Sequence, residues 1–598
     1  MPVSRSSATA AFPARPGPAR LALLLVPTLL LTLAATGGAI AVFGQRSGWF
    51  AMLILPLLLM GYGRSALTAT SLLLGLVPRR RTAEPPVTHR PLPRTALLLP
   101  IFNEPVAPVA AALRVMSDAL RPEDNITVFV LSDTQDAGLA AEEAIRFPAL
   151  TRSASGVEVR YRRRASNAGR KAGNIAAFCR EHGAAFEFAV VLDADSLMTA
   201  DAIRGAIAAL RDDPRAALIQ TVSYPVGDTT LFGRMQQFSA RLNAPMSVRG
   251  QDLWQGRRGT YWGHNAVIRL APFMRHAVLP VLPGRAPMGG EILCHDTIEA
   301  ALLQRAGWDI RVLPNLPGSY ETTPSNLVDH LGREKRWCQG NLQHLRLVRL
   351  PGLTLASRVH IGMGILYYLA QPAGLLLSVA LLLRSAIAPV AIPSAPTADL
   401  SGLPIAAILF WLTLFLVFGP RAAQLGVLMV RGNNARRFGG RCRLLLGSTV
   451  EQLLGTLLTP VMMVSASVFV FTTLSGRIVP WNSPPRGDRA IGWREAWMRF
   501  RTHTALGVLL TVPAAAWHPD LLGWTLLLTA GLLLSVPLAV VSGSVTLGRL
   551  AHRAGIFVCE DELMPHPDLV AAGLAVPFLP KRPLGRTPTL LPADAAAK

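Results

Sequence analysis

Val190-Val191-Leu192-Asp193-Ala194-Asp195 is the stretch on which the fold turns. A short unbroken apolar run reads as a strand buried on both faces, the texture of a parallel sheet. It ends on two carboxylates two residues apart. Alternation along a strand points both to the same side, where they can share a divalent cation and the diphosphate it neutralises. The plain alternative is a pair that only caps the next helix. Thr95 to Leu99, Thr127 to Leu131 and Ala217 to Val222 have the same texture and are separated by helix-length segments. Residues 86–350 therefore read as one soluble α/β domain with a mostly parallel sheet, whose ligand site lies outside the carboxyl ends of the strands.

The other strand ends carry similar chemistry. One run passes into Asn103-Glu104 and another into Ser132-Asp133-Thr134, acid and amide groups suited to a base and ribose, although each alone is an ordinary turn residue. Arg162-Arg163-Arg164 to Lys171-Ala172-Gly173-Asn174 sets cations and small residues before an apolar helix, which favours phosphate oxygens; a solvated basic turn is the alternative. Asp296 opens another helix-like run. There it either stabilises the helix dipole or, free of metal, takes a proton from a sugar hydroxyl. Arg333-Glu334-Lys335-Arg336-Trp337 puts cations beside an indole. That arrangement stacks on a pyranose and steadies a departing diphosphate, or sits at a membrane interface.

Composition sets this domain within a membrane protein. The 598 residues are 51% hydrophobic and only 16% charged, with a mean hydropathy of +0.36, against about 25% charged in globular chains. Residues 1–20 are polar, and two apolar runs, Leu21 to Phe43 and Trp49 to Val77, fill 21–85 before Arg79-Arg80-Arg81. Each run is long enough to span, and the three arginines put residues 86–350 in the cytoplasm. In 351–545 apolar runs resume at His360 to Leu383 and Ile405 to Val430, around a loop, Ser385 to Gly402, without Lys or Arg. A last pair, Thr502 to Trp517 and Leu521 to Val541, turns at His518-Pro519-Asp520, and 546–598 is a Pro-rich cytoplasmic tail. Leu444 to Leu474 holds Glu451 and Pro460 between two Arg-rich flanks. It reads as an interfacial helix plus a buried segment or as two short helices, giving six spans and one hairpin.

The 59 Lys and Arg against 36 Asp and Glu leave a net charge of +23. Nearly all of it is arginine flanking spans or near the proposed diphosphate, so it gives little reason to expect nucleic acid. The five cysteines lack C-x-x-C spacing and suggest neither disulfide nor zinc.

The order Asp133, Asp193-Ala194-Asp195, Gly263-His264-Asn265-Ala266, His295-Asp296 and Arg336-Trp337 resembles the processive family 2 glycosyltransferases, whose best-known type is the cellulose synthase catalytic subunit. Leu99-Pro100-Ile101-Phe102-Asn103-Glu104, Tyr261-Trp262-Gly263-His264, Cys294-His295-Asp296 and Arg336-Trp337-Cys338-Gln339-Gly340-Asn341 resemble the branch that makes osmoregulated periplasmic glucans in bacterial inner membranes. The resemblance implies a polytopic membrane protein with a GT-A domain inserted between transmembrane helices. It also implies that UDP-glucose and Mg²⁺ or Mn²⁺ extend a β-1,2 glucan chain, which moves through the bilayer to the periplasm. Asp133 and Asp193 then contact uridine, Asp195 binds metal, Lys171 lies near the diphosphate, Asp296 is the general base, Trp337 stacks on the acceptor glucose and Arg336 holds the diphosphate. His264 and Asn265 line the acceptor end. An acyl carrier protein and a periplasmic glucan biosynthesis protein are partners by the same analogy.

Two positions depart from the cellulose synthase pattern, Arg333 where a Gln opens the usual motif and His295 where an acid precedes the catalytic Asp. Both follow the periplasmic-glucan branch. No regulatory role of a long N-terminal extension is carried over, and the Arg549 and Arg553 spacing is read as chance. A synthase of cellulose or another exopolysaccharide, a non-processive lipid glycosyltransferase, and a catalytically dead scaffold or transporter stay open as rivals.

Overall fold

The computed structural model describes residues 19–43, 48–78, 91–150, 156–387, 405–430, 432–478, 487–517 and 522–578. The expectations for residues 1–18, Arg79-Arg80-Arg81, the loop 388–404, the turn His518-Pro519-Asp520 and the tail beyond 578 lie outside them.

Ten strands are described: β1 Thr95–Ile101, β2 Ile126–Ser132, β3 Val159–Arg163, β4 Phe188–Val191, β5 Leu197–Met198, β6 Ala216–Thr221, β7 Tyr224–Pro225, β8 Ala266–Arg269, β9 Asp309–Leu313 and β10 Ser319–Glu321. Seven form the main sheet in the order β3-β2-β1-β4-β8-β6-β9, and β5-β10-β7 form a small second sheet. In the main sheet only β8 runs antiparallel to its neighbours, β4 and β6. The four expected strands are β1, β2, β4 and β6. The other three main-sheet strands lack a long apolar run, because β3 is an edge with arginines outward, β8 is four residues long and β9 carries Asp309 and Arg311.

All seven residues of β1 are buried. Its alternation divides the core, since Leu97, Leu99 and Ile101 pack with Leu113, Ile203 and Ile207 on one face. Ala96 and Leu98 pack with Phe178 and Leu303 on the other. Helices thus cover both faces, which leaves the carboxyl edge to receive a ligand.

Five helices among the described residues are long and apolar enough to cross a membrane: Ala19–Phe43, Gly48–Leu74, Leu355–Arg384, Ile405–Val430 and Arg441–Leu474. Two precede the domain and three come after it, so the chain is a membrane protein around an inserted domain. Neither the interfacial helix with a buried segment nor the pair of short helices expected at Leu444 to Leu474 is formed, and Arg441–Leu474 is one continuous helix of 34 residues. Glu451, the residue that argues against a single helix in the sequence, is buried beside Arg421 and accepts from Ser239 Oγ at 2.9 Å. The expected last span is broken instead, into Leu522–Leu533 and Ser535–Ser542.

The segment after residue 545 is not a loose tail as far as Phe578. Helices Val545–Arg553, Glu560–Leu563 and Pro567–Ala571 pack on the α/β domain. Glu562 is buried against Arg234 at 2.7 Å, and Asp561 pairs with Arg241 at 2.5 Å. The Arg241 guanidinium in turn lies 3.6 Å from the Tyr224 ring centre.

Candidate functional site

The carboxyl ends of β1, β2 and β4 open into a cavity of about 1310 Å³. Register fixes their alignment, because Pro100 pairs with Leu131 and Leu98 with Val191. Glu104, Asp133, Asp193 and Asp195 consequently arrive on one wall. Arg333, Arg336 and Trp337, on helix Leu327–Gln343, also line the cavity, as does Asp296, the second residue of helix His295–Arg305.

Local bonds set each group. Asp133 is buried and held by Arg164, whose Nε and Nη2 donate to its two oxygens at 2.6 Å each. Burial pushes its carboxyl above the ordinary value, against the downward pull of that guanidinium. Lys171 donates to Asp193 Oδ1 and, at 2.7 Å, to the carbonyl of Gly263. The ammonium therefore ties the β4 end to the loop before β8. Thr322 Oγ1 donates to Asp195 Oδ2 at 3.4 Å. His264 Nε2 lies 3.4 Å from Glu321 of β10. Burial alone would lower the His264 pKa, but Asp193, Glu321 and Asp195 outweigh it and hold the imidazolium above its usual range.

Gly263 is the hinge between the two halves. Its φ is +90°, and an added Cβ would lie 3.2 Å from Asp296 Oδ2. The carboxylate thus reaches the same loop that Lys171 grips. No hydrogen bond or ion pair to protein engages Asp296 among the described residues, as a proton acceptor requires. The neighbouring His295 is bound within its own helix, Nδ1 to Glu299 Oε2 at 3.1 Å. Across the cavity, Arg333 stacks 4.6 Å from the Trp337 ring centre, and the indole is 44% exposed. Gly340 lets this helix close on the loop that leads into Asp296, since a Cβ there would lie within 3.0 Å of Cys294 backbone and side-chain atoms.

Two expected ligands become braces. Asn103 has a left-handed φ of 48°, and its side-chain oxygen accepts from the Gln135 and Asp136 amides at 2.9 and 3.1 Å. Asn265 is fully buried and donates to Ser319 Oγ at 2.8 Å and to the Tyr320 carbonyl at 3.2 Å. Each joins two strand ends and is absent from the cavity wall. The basic run divides in the same way. Arg162 binds Glu181 and Asn174, Arg163 the Thr134 carbonyl and Arg164 Asp133, while Lys171 faces the cavity. Sequence reading gives Arg164 to a phosphate, where the structure turns it onto Asp133, and misses Glu321 and Thr322, because a Glu-Thr pair at the end of a three-residue strand carries no motif.

No cluster of three or more His, Cys, Asp or Glu able to hold a metal ion occurs among the described residues. A cation on Asp195 would therefore take its remaining ligands from substrate oxygens and water, which fits Mg²⁺ or Mn²⁺ bound through one or two carboxylates.

Comparison with known proteins agrees with this arrangement. Residues 97–276 match the model described as glycosyl transferase family 2, and residues 188–419 match glycosyl transferase family group 2. The chain is 39% identical over 491 residues to a glucans biosynthesis glucosyltransferase H of Shewanella sp. (strain ANA-3), covering 80% of this chain and 68% of that one. With the Cupriavidus pinatubonensis protein of the same name it shares 38% over 502 residues, 82% of this chain and 58% of that one. Among solved structures it is similar to a Pyrobaculum calidifontis mannosyltransferase in complex with GDP-Man and Mn²⁺. The TM-score is 0.44 at 16% identity, covering 71% of this chain and 99% of that one. An α/β domain set between membrane helices, with Asp193-Ala194-Asp195, Asp296 and Arg336-Trp337 around one cavity, belongs with the family models and the glucosyltransferase relatives: the chain is a glycosyltransferase of family 2, in the family of the glucans biosynthesis glucosyltransferase H proteins.

Proposed function

We propose that the protein transfers glucose from UDP-glucose to a growing β-1,2-linked glucan and passes the chain across the bacterial inner membrane, with its catalytic domain on the cytoplasmic side. The observation that carries this reading is the unengaged Asp296 carboxylate against Gly263, on the loop that Lys171 ties to Asp193. The names of the relatives support glucan as the product.

In this reaction Asp296 takes the proton from an acceptor hydroxyl as its oxygen attacks the anomeric carbon, the bond to UDP breaks, and configuration inverts. Trp337 supplies a flat apolar face for the acceptor ring. Arg336 and Lys171, which line the cavity, stabilise the negative charge that grows on the leaving diphosphate. Asp133, braced by Arg164, and Glu104 present acceptors to the uridine, and Asp193 is oriented by Lys171. A divalent ion held by Asp195 would neutralise diphosphate charge when bound. His264, whose pKa its acidic neighbours raise against the effect of burial, faces the same space.

Asp296→Asn tests the assignment in membranes given UDP-[¹⁴C]glucose and Mg²⁺. Polymer should fall by about 10²- to 10⁴-fold, the usual share of a general base, while UDP binding stays nearly intact. Full synthesis by the variant sinks the assignment. Absence of UDP release by the unaltered protein would favour a scaffold, and linkage analysis of the product separates β-1,2 glucan from cellulose.

A further inference from the structure

One wall of the cavity is a single helix face that the catalytic groups do not use. Helix Leu231–Gln255 turns Gln236, Ser239, Asn243, Ser247 and Gln251 into the cavity. Steps of three or four residues make one stripe, and at 1.5 Å per residue it runs about 22 Å. None of these side chains is charged, although Arg234, Arg241, Arg249 and Asp252 occupy other faces of the helix.

The stripe is held in place at one end and open at the other. Gln236 Nε2 donates to the Pro324 carbonyl at 3.0 Å, Ser239 Oγ to Glu451 at 2.9 Å, and Asn243 Nδ2 to Ser239 Oγ at 3.1 Å. The Ser247 hydroxyl and the Gln251 amide have no protein partner among the described residues, and both lie on the cavity wall. Beside them stands Trp262, packed with Ala244 on the Val222, Val248 and Val312 cluster and fixed through its backbone amide to Gln220 Oε1 at 2.9 Å. The helix starts next to Asp228 on the cavity wall. It ends against helix Gly48–Leu74, where Gly250 packs on the Ser71 carbonyl and Trp254 Nε1 donates to Ser71 Oγ at 3.2 Å.

A diphosphate would call for cations and an acyl chain for an apolar wall. A row of amides and hydroxyls beside an indole suits a neutral, many-hydroxyl ligand with an apolar ring face. We propose that this stripe, with Trp262, is a binding track for the glucan, holding the sugars behind the reactive one and leading them from Asp296 to the membrane helices. The inference rests on the glucan reading above and adds the residues that retain the chain.

The test uses the full-length protein in detergent, with β-1,2-linked gluco-oligosaccharides of defined length as the probe. For Ser247→Ala/Gln251→Ala, calorimetric affinity for the oligosaccharide should fall by at least about fivefold, as expected for two ordinary hydrogen bonds. The mean product length should shorten, while the KM for UDP-glucose stays unchanged. Isosteric Gln251→Glu, checked by thermal melting, should shift affinity and length in the same direction without loss of fold. Unchanged oligosaccharide affinity and product length in both variants overturn the track, as does a loss confined to UDP-glucose. An unaltered protein that makes no glucan overturns the parent reading instead, which separates the two failures.

Discussion

Adding one methyl group at Gly340 should uncouple Trp337, the proposed acceptor platform, from Asp296, the proposed base. Gly340 is three residues after Trp337 on helix Leu327–Gln343, and a Cβ there would sit 2.9 Å from Cys294 N and 3.0 Å from Cys294 Cβ, closer still to its sulfur. The sulfur can swing aside, but the backbone nitrogen cannot. Ordinary carbon contacts begin near 3.5 Å, so in Gly340→Ala the helix or the Cys294-Asp296 segment must shift by roughly half an ångström. Overpacking of this kind costs about 1–3 kcal/mol of stability, and a misplacement of about 1 Å costs on the order of 10²-fold in rate, or roughly 2.7 kcal/mol in the barrier. The assay is glucan formation from UDP-[¹⁴C]glucose beside UDP-glucose binding by the same purified protein. Transfer should fall by up to about that factor, with donor affinity held because Asp133, Asp193 and Asp195 follow β2 and β4 and are on neither of the two segments that clash. Cys294→Ala in the same chain relieves only the sulfur contact and should restore part of the rate. Gly340→Ala with full transfer and unaltered melting would refute the coupling.

Three other outcomes rest on the packing. Glu562→Gln leaves Arg234 buried without its carboxylate and should lower stability by about 3–5 kcal/mol, whereas Arg234→Met/Glu562→Leu should come close to neutral by thermal melting. Burial pushes Asp228 up to about 7, so it keeps its proton in the fold at pH values where the unfolded chain, near 3.9, has lost it. Stability should therefore decline as pH rises from about 4 to about 7, and Asp228→Asn should flatten that slope in melts taken across pH. Asn265→Ala should cost about 1–3 kcal/mol of stability while leaving the KM for UDP-glucose unchanged, since its amide joins strands rather than touching ligand. A raised KM without loss of stability would return it to the binding site.

Much of the cavity lining is legible in the order of residues alone. Val190 to Asp195 is informative because a strand buried on both faces has a run of one kind, and its end is where the chain becomes polar. Asn103 and Asn265 mislead because a motif residue can serve the motif by tying backbone ends, and spacing does not tell a brace from a ligand. Glu321 and Thr322 are silent because β10 is three residues long and their partners, His264 and Asp195, are 57 and 127 positions away in the chain. The helix Arg441–Leu474 is hidden for a related reason. Glu451 looks like an interruption in one dimension and becomes an ordinary buried partner once Arg421 and Ser239 stand beside it.

The docking of the segment after residue 545 has a consequence for how the molecule is made. The domain that starts at Thr95 receives Glu562 for Arg234 and Asp561 for Arg241 only after every membrane helix has left the ribosome. Until then two arginines lack their carboxylates, so the α/β domain waits, incompletely knit, while the bundle inserts. A fragment spanning residues 91–350 would be frozen at that stage, and its instability would report a missing last piece rather than a faulty sheet.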